Sequence, residues 1–221
     1  MRQRMSRYTP ISANTVALRR RLRLSPARRD RYTEAMANEV EIKFSITDRA
    51  ALEEKLRANG FHEKTASTHE LNTLYDFPHQ DLRRSGELLR IREFGGKWKV
   101  THKAKGSAGK HKSRAETETS VGDGEKLAAI FQALGLRPTF RYEKFRSEWT
   151  DGKGDVVLDH TPVGDFGEIE GEPDWIDQVA KRIGVAEKEY ITSSYAELFQ
   201  QFVVRTRCKA ANMTFQECGT K

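Results

Sequence analysis

The chain has 221 residues, 37% of them hydrophobic and 32% charged, enough for one sizeable domain with its own core. It has no apolar run near the roughly 18 residues of a membrane-spanning helix. Cys208 and Cys218 are its only cysteines, which excludes a disulfide framework and makes a reducing cytoplasm the expected setting. The formal net charge of +7 is concentrated at the N-terminus: residues 1–35 carry ten Arg against Asp30 and Glu34, leaving 29 basic and 30 acidic residues elsewhere. The high overall charge therefore gives no reason to expect a nucleic-acid surface on the folded part.

Residues 1–35 are rich in Arg and Ser, poor in acids and weakly periodic. They suit an organelle-type transit peptide, a basic arm for nucleic acid, or translation from upstream of a true start at Met36. We expect three parts: this leader, a folded domain over 36–203, and a tail over 204–221 without a clear pattern.

From residue 38 the sequence alternates between strand-like and helix-like segments. NEVEIKFSI (38–46) alternates apolar Val40, Ile42 and Phe44 with Glu39, Glu41 and Lys43, as a strand with one apolar face does. Thr47 or Asp48 can cap a helix running to about Asn59, with Gly60 as its stop. Strands are predicted at 69–77, 86–94 and 97–104, the last two joined by Gly95-Gly96, a strong two-residue hairpin signal. The Gly- and Lys-rich stretch 104–112 is expected to be a solvated loop. A strand at 113–121 and a helix at 123–135 follow, then strands at 139–150, 154–160 and 165–171. Helices at about 173–184 and 191–203 close the domain. Eight mostly hairpin-linked strands with helices between and after them make an α+β fold with an antiparallel sheet.

The charges share one parity on strand after strand. Arg90 and Arg92 alternate with Leu89 and Ile91; Lys99 pairs with Lys103, Arg114 with Glu116 and Glu118, Lys144 with Arg146, and Glu168 with Glu170, while Asp159 follows Leu158. On any single strand, a half-solvated face with salt-bridge ladders explains this. Taken together, same-sign pairs two residues apart repel one another, and an ordinary surface would mix the signs. Paired carboxylates suit an oxygen-coordinated Mg²⁺ or Mn²⁺, and paired Arg and Lys suit phosphate. Should the eight strands close into a barrel, these charges line a polar lumen and the apolar faces lie under the helices.

In this order the motifs EVEIK (39–43), YDF (75–77), LLRIR (88–92), THKAKG (101–106), SRAETE (113–118), EKFR (143–146), VVLD (156–159), GDFGEIEG (164–171) and SSYAELF (193–199) resemble the CYTH domain family. This family, also called triphosphate tunnel metalloenzymes, joins class IV adenylyl cyclases with thiamine triphosphatases. The resemblance covers about residues 37–203 and implies an eight-stranded antiparallel closed β-barrel with a charged lumen. It further implies a small-molecule triphosphate substrate and two divalent cations, Mg²⁺ or Mn²⁺. Carried over, Glu39, Glu41, Glu168 and Glu170 resemble the ligands of one metal. Glu116 and Asp159, with help from Glu170, resemble those of a second, and Glu118 completes the acidic RxExE element. Lys43, Arg90, Arg92, Lys103, Arg114, Lys144 and Arg146 resemble the phosphate cradle. Lys144, oriented by Tyr75, would activate water, a role that needs a depressed pKa.

Triphosphate hydrolysis is the expected reaction, because no residue announces an adenine pocket. Conversion of ATP to cyclic AMP and pyrophosphate is the alternative, since LGLRPTFRYEKFRSEW and the closing helix look at least as much like bacterial cyclases. A non-catalytic polyphosphate-binding module and an RNA 5′-triphosphatase using the Arg-rich leader are further alternatives. No membrane partner is expected, and the assembly is a monomer or homodimer. The six histidines lack metal-ligand spacing, so His102 and His160 are read as packing or surface groups. Trp98, Trp149 and Trp175 are read as core on the outer face.

Overall fold

The computed structural model describes residues 37–107 and 109–220; the Arg-rich leader lies outside them. Eight strands close into an antiparallel barrel in the order β1-β5-β4-β3-β2-β6-β7-β8. They are β1 (Ala37–Ser45), β2 (His62–Asp76), β3 (Leu88–Phe94), β4 (Lys97–Lys103), β5 (Lys112–Val121), β6 (Arg137–Thr150), β7 (Asp155–Thr161) and β8 (Gly164–Glu170). Between and after them run α1 (Arg49–Ala58), α2 (Asp81–Ser85), α3 (Gly124–Ala133), α4 (Pro173–Ile183), α5 (Tyr195–Thr206) and α6 (Phe215–Cys218). The closed barrel and its helices are the α+β architecture expected above. No helix among the described residues is long and apolar enough to cross a membrane.

The alternation read in β1 decides which side of the wall faces a helix. Ile42 and Phe44 point outward with Trp149, Val156, Leu158 and Ile169, and α1 and α4 cover them with Leu52, Leu56, Ile176, Val179 and Ile183. Full burial of each such side chain stabilises the fold by about 1.5–3 kcal/mol. The sheet is tightly packed here: a Cβ on Gly167 would stand 2.2 Å from the Phe44 ring. A second outer cluster gathers Tyr75, Ile91, Leu89 and Trp98 beneath Leu127, Ala128 and Phe131 of α3. Asp48 caps α1 as expected, accepting from the Ala51 amide at 3.0 Å. Gly95 and Gly96 both have positive φ, +56° and +73°, which a primed two-residue hairpin turn requires.

The structure departs from the sequence reading in three places. β2 begins at His62, not near residue 69, because the hydrophilic stretch 62–68 pairs with the end of β6 through two register shifts. The five-residue α2 is too short for periodicity to reveal; it is fixed by Asp76, whose carboxylate accepts from the amides of Phe77, Leu82 and Arg83.

The third departure is in the C-terminal segment, which is part of the barrel wall. Beyond the β1–β5 pairing, Ile191 exchanges backbone hydrogen bonds with Lys43 at 2.7 and 3.2 Å. Beyond the β6–β7 pairing, Met213 accepts from Glu143 and donates to Arg141, both at 3.0 Å. Two gaps in the ladder are thus closed by residues after β8.

Candidate active site

The inward parity of the strands collects the charged residues in one lumen, where they form three linked groups. In the first, β1 and β8 place Glu41 opposite Glu170, and β1 and β5 place Glu39 opposite Arg114. Lys103 donates to Glu39 and ion-pairs with Glu116 at 2.9 Å, while Lys112 donates to Glu41 at 2.7 Å. Among the described residues, Glu170 has no hydrogen-bonded or ion-paired partner. Although the side chain is exposed, desolvation at the wall and the charges of Glu39 and Glu41 push its carboxyl up to about 7. The same desolvation raises Glu39 against the pull of Lys103. Burial also works against an ionised Glu41, but Lys43 and Lys112 outweigh it and hold that carboxyl low.

The second group is buried, with only Arg146 partly exposed. Lys43 donates to Glu168 at 2.6 Å, and Arg146 bridges Glu168 and Asp159, reaching the latter at 2.6 and 2.7 Å. Lys144 donates to Asp159 at 2.9 Å, and the Tyr195 hydroxyl donates to the same carboxylate at 2.5 Å. The Tyr195 ring lies 4.6 Å from the amines of both Lys43 and Lys144. Burial and the neighbouring Asp159 charge raise the phenol well above its usual value, so it stays a neutral donor. A capping box at the start of α5, with Ser194 accepting from the Glu197 amide and Glu197 accepting from the Ser194 amide, aims Tyr195 inward.

The third group centres on Glu118, which accepts from Lys99 (2.6 Å), Thr101 (2.9 Å) and Arg92 (3.1 Å). Arg90 donates to Thr101 and to the Tyr142 hydroxyl at 3.2 and 3.3 Å. Arg114 donates to the backbone carbonyls of Ala104 and Gly86, so it ties the ends of β3 and β4 together. One end of the lumen is filled with apolar groups: Leu74, Phe140, Tyr142 and Phe166 pack against Tyr195, Phe199 and Met213.

Most of the candidate residues therefore meet in one place; Arg114 is taken up by backbone carbonyls, and Tyr75 is a correction. Tyr75 lies on the outer face, in edge contact with Phe131 of α3 at 5.3 Å between centroids. Its parity is opposite to that of Glu70 and Asn72, so it cannot orient the inward-facing Lys144. Tyr195 occupies the position beside Lys144 that was expected of Tyr75. Sequence reasoning missed Tyr195 because a helix carries no strand parity. It also missed Glu70, Asn72 and Tyr142, although their i, i+2 spacing on β2 and their pairing across to β6 would have placed them inward. Lys112, read as a loop residue, sits on β5 and ion-pairs with Glu41, while Lys110 bridges Asp177 and Glu187. His102 and His160 pair with Glu87 and Asp165 away from the cradle.

The acids were also expected to hold metal. Among the described residues, no three Asp, Glu, His or Cys side chains converge as a ready cage; most of the carboxylates are turned onto cations. The chemistry nonetheless fits at one place. Glu39, Glu41 and Glu170 are neighbouring oxygen donors on β1 and β8, and the mutual repulsion behind the raised Glu170 carboxyl is what a bound cation relieves. Glu118, Asp159 and Glu168 are each held by two or more cationic or hydroxyl donors and leave no comparable opening.

A sequence profile of the CYTH domain matches residues 37–195. A candidate adenylate cyclase of Methanocaldococcus jannaschii is 27% identical over 171 residues, spanning 72% of this chain and 97% of that protein. Among solved structures, a candidate adenylate cyclase from Vibrio parahaemolyticus superposes with a TM-score of 0.66 at 19% identity, covering 73% of this chain and 97% of that one. A candidate adenylyl cyclase from Hippeastrum, described as revealing a dominant triphosphatase activity, gives a TM-score of 0.56 at 18% identity over 74% and 95% of the two chains. At these identities the structural matches establish the shared fold.

Proposed function

The chain belongs to the CYTH domain family, and from that premise we propose that it is a divalent-metal-dependent enzyme that hydrolyses a triphosphate held in the barrel lumen. The family is generally metal-dependent. What supports a phosphate-handling lumen is the convergence of Lys43, Arg90, Arg92, Lys103, Lys144 and Arg146 on one interior.

The observation that carries hydrolysis over cyclisation is the apolar packing at the end of that lumen. A cyclase must hold a nucleoside against the same cradle that holds the phosphates. Here the apolar side chains that reach the interior, Leu74, Phe140 and Phe166 among them, are already packed against Tyr195 and Phe199.

In this reading Arg90, Arg92, Lys144 and Arg146 donate to the phosphoryl oxygens and stabilise the charge that builds on them during in-line displacement. Lys144 takes the role of a donor and not the water-activating one expected from the resemblance, because its amine is held by Asp159 at 2.9 Å and faces Glu70 at 3.5 Å. Tyr195 fixes Asp159 and, by its ring, the two lysines on either side. Glu39, Glu41 and Glu170 would hold the cation, which supplies Lewis-acid polarisation of phosphoryl oxygens when bound. Water attacks the terminal phosphorus and the bridging P–O bond breaks; one water proton stays on the orthophosphate and the other passes to the departing diphosphate oxygen.

Incubation with tripolyphosphate and Mg²⁺ or Mn²⁺ should release orthophosphate, and Arg146→Ala should lower the rate by at least about 100-fold, as loss of a transition-state donor does. An unimpaired Arg146→Ala enzyme would rule out the cradle. A second reading, formation of cyclic AMP and pyrophosphate from ATP, draws on the adenylate cyclase name of the Methanocaldococcus relative; product analysis separates the two.

A further inference from the structure

Glu70 is a luminal carboxylate set among cations, and among the described residues none of them gives it a hydrogen bond. It is fully buried. Lys144 stands 3.5 Å away, Arg92 3.7 Å and Arg146 3.9 Å, all beyond hydrogen-bonding distance. Among the described residues, its carboxylate receives a single hydrogen bond, from the Asn72 side-chain amide, 2.8 Å from Oε1. Strand pairing brings these groups together: Glu70 is in register with Lys144 on β6, and Asn72 with Arg92 on β3.

On this wall of the barrel four buried side-chain atoms are without partners: Glu70 Oε2, Asn72 Oδ1, Arg90 Nε and Arg92 Nε. Buried polar groups that receive no hydrogen bond from the protein cost stability unless another group meets them. Burial works against the charged carboxylate, yet Lys144, Arg146 and Arg92 hold it well below the usual carboxylate range. Glu70 is therefore a permanent negative charge inside the cationic cradle, close enough to weaken its field and too far to occupy its donors.

Resting on the triphosphate reading above, we propose that Glu70 is a built-in counter-ion that competes with phosphoryl oxygens for Arg92, Lys144 and Arg146, and so limits how tightly the lumen retains phosphate. Each of these cations also bonds another carboxylate, but Glu70 takes none of their hydrogens, so its charge opposes retention of a phosphoryl group without itself blocking the contact. Substrate that bridges many cations is still held, whereas orthophosphate, with few contacts, is released.

The test uses the whole chain, with tripolyphosphate and orthophosphate as probes in the presence of a chelator, so that no metal and no turnover enter the readout. By calorimetry, Glu70→Gln should bind tripolyphosphate at least about tenfold more tightly than the unmodified protein, the direction set by removing a like charge a few ångströms from the ligand. Orthophosphate, weakly held by the unmodified protein, should become measurable. Equal or weaker binding by Glu70→Gln would overturn the counter-ion role and make Glu70 a residue that merely positions the cations. Failure of the unmodified protein and the variant alike to bind tripolyphosphate, in the chelator and again with Mg²⁺ restored, would refute the lumen as a triphosphate site, and this role with it. If Glu70→Gln is unfolded without ligand, its thermal transition is followed as tripolyphosphate is added. Recovery of a cooperative transition supports a missing counter-charge, and no recovery overturns it.

Discussion

Replacing Asp159 by Asn separates two roles for a buried acid, that of metal ligand and that of anchor for the cradle. Asp159 is fully buried and accepts four hydrogen bonds: one from Lys144, two from Arg146 and one from Tyr195, at 2.5–2.9 Å. Asn keeps the shape but removes the charge, and turns an amide N–H₂ toward donors that need an acceptor. Removing one partner of a buried ion pair costs about 3–5 kcal/mol. The lower half of that range applies here, because Glu168 still faces Arg146 and Glu70 still faces Lys144. For a domain of this size about 3–4 kcal/mol corresponds to a fall in Tm of roughly 6–16 °C. Urea unfolding followed by circular dichroism in the presence of a chelator measures the loss without any metal contribution. A pure metal ligand would leave the metal-free protein unchanged or slightly stabilised. A loss below about 1 kcal/mol would therefore refute the anchoring role argued from these contacts.

Tyr75→Phe should leave turnover within about twofold, since the ring packs outside the barrel. Tyr195→Phe should lower kcat roughly tenfold by freeing Asp159, given about 1.5–3 kcal/mol for a hydrogen bond to a charged group; the opposite ranking would restore Tyr75 to the site. The raised Glu170 carboxyl carries a pH signature. Its value rises in the fold from 4.5 to about 7, so its protonated form favours folding, and that contribution is lost as pH rises through 7. A cation that replaces the proton should then raise Tm more at pH 8 than at pH 5.5. The difference should vanish in Glu170→Gln, and a pH-independent Mg²⁺ effect would remove Glu170 from the cation site. Met213→Ala should cost about 2–5 kcal/mol in urea unfolding, because Met213 is fully buried and its neighbours cannot close the space. A neutral result would mean that the C-terminal segment is not part of the wall.

The barrel was legible because its strands carry a period-two contrast strong enough to survive any choice of register. Ile42 against Glu41 and Ile91 against Arg92 assign faces before any partner is known. The same parity gathered most of the charged lumen. Parity could not say which acids would be occupied by cations, because that depends on which strands become neighbours. Asp159 meets Arg146 and Lys144 only through the β6–β7 pairing, and Glu118 meets Lys99 only through β4–β5. Tyr195 and Met213 were invisible for another reason: they enter from a helix and a short bridge, where no strand pattern marks an inward side. Tyr75 was misplaced by reliance on family position, even though its own parity with Thr73 and Leu71 put it opposite Glu70 and Asn72.

The reaction itself is the central claim. The most direct measurement incubates the whole chain with Mg²⁺ or Mn²⁺ and, separately, tripolyphosphate, thiamine triphosphate and ATP, and resolves the products by phosphorus NMR. Orthophosphate from tripolyphosphate, lost in Arg146→Ala, is the predicted result. Cyclic AMP and pyrophosphate from ATP, with tripolyphosphate left intact, would contradict it.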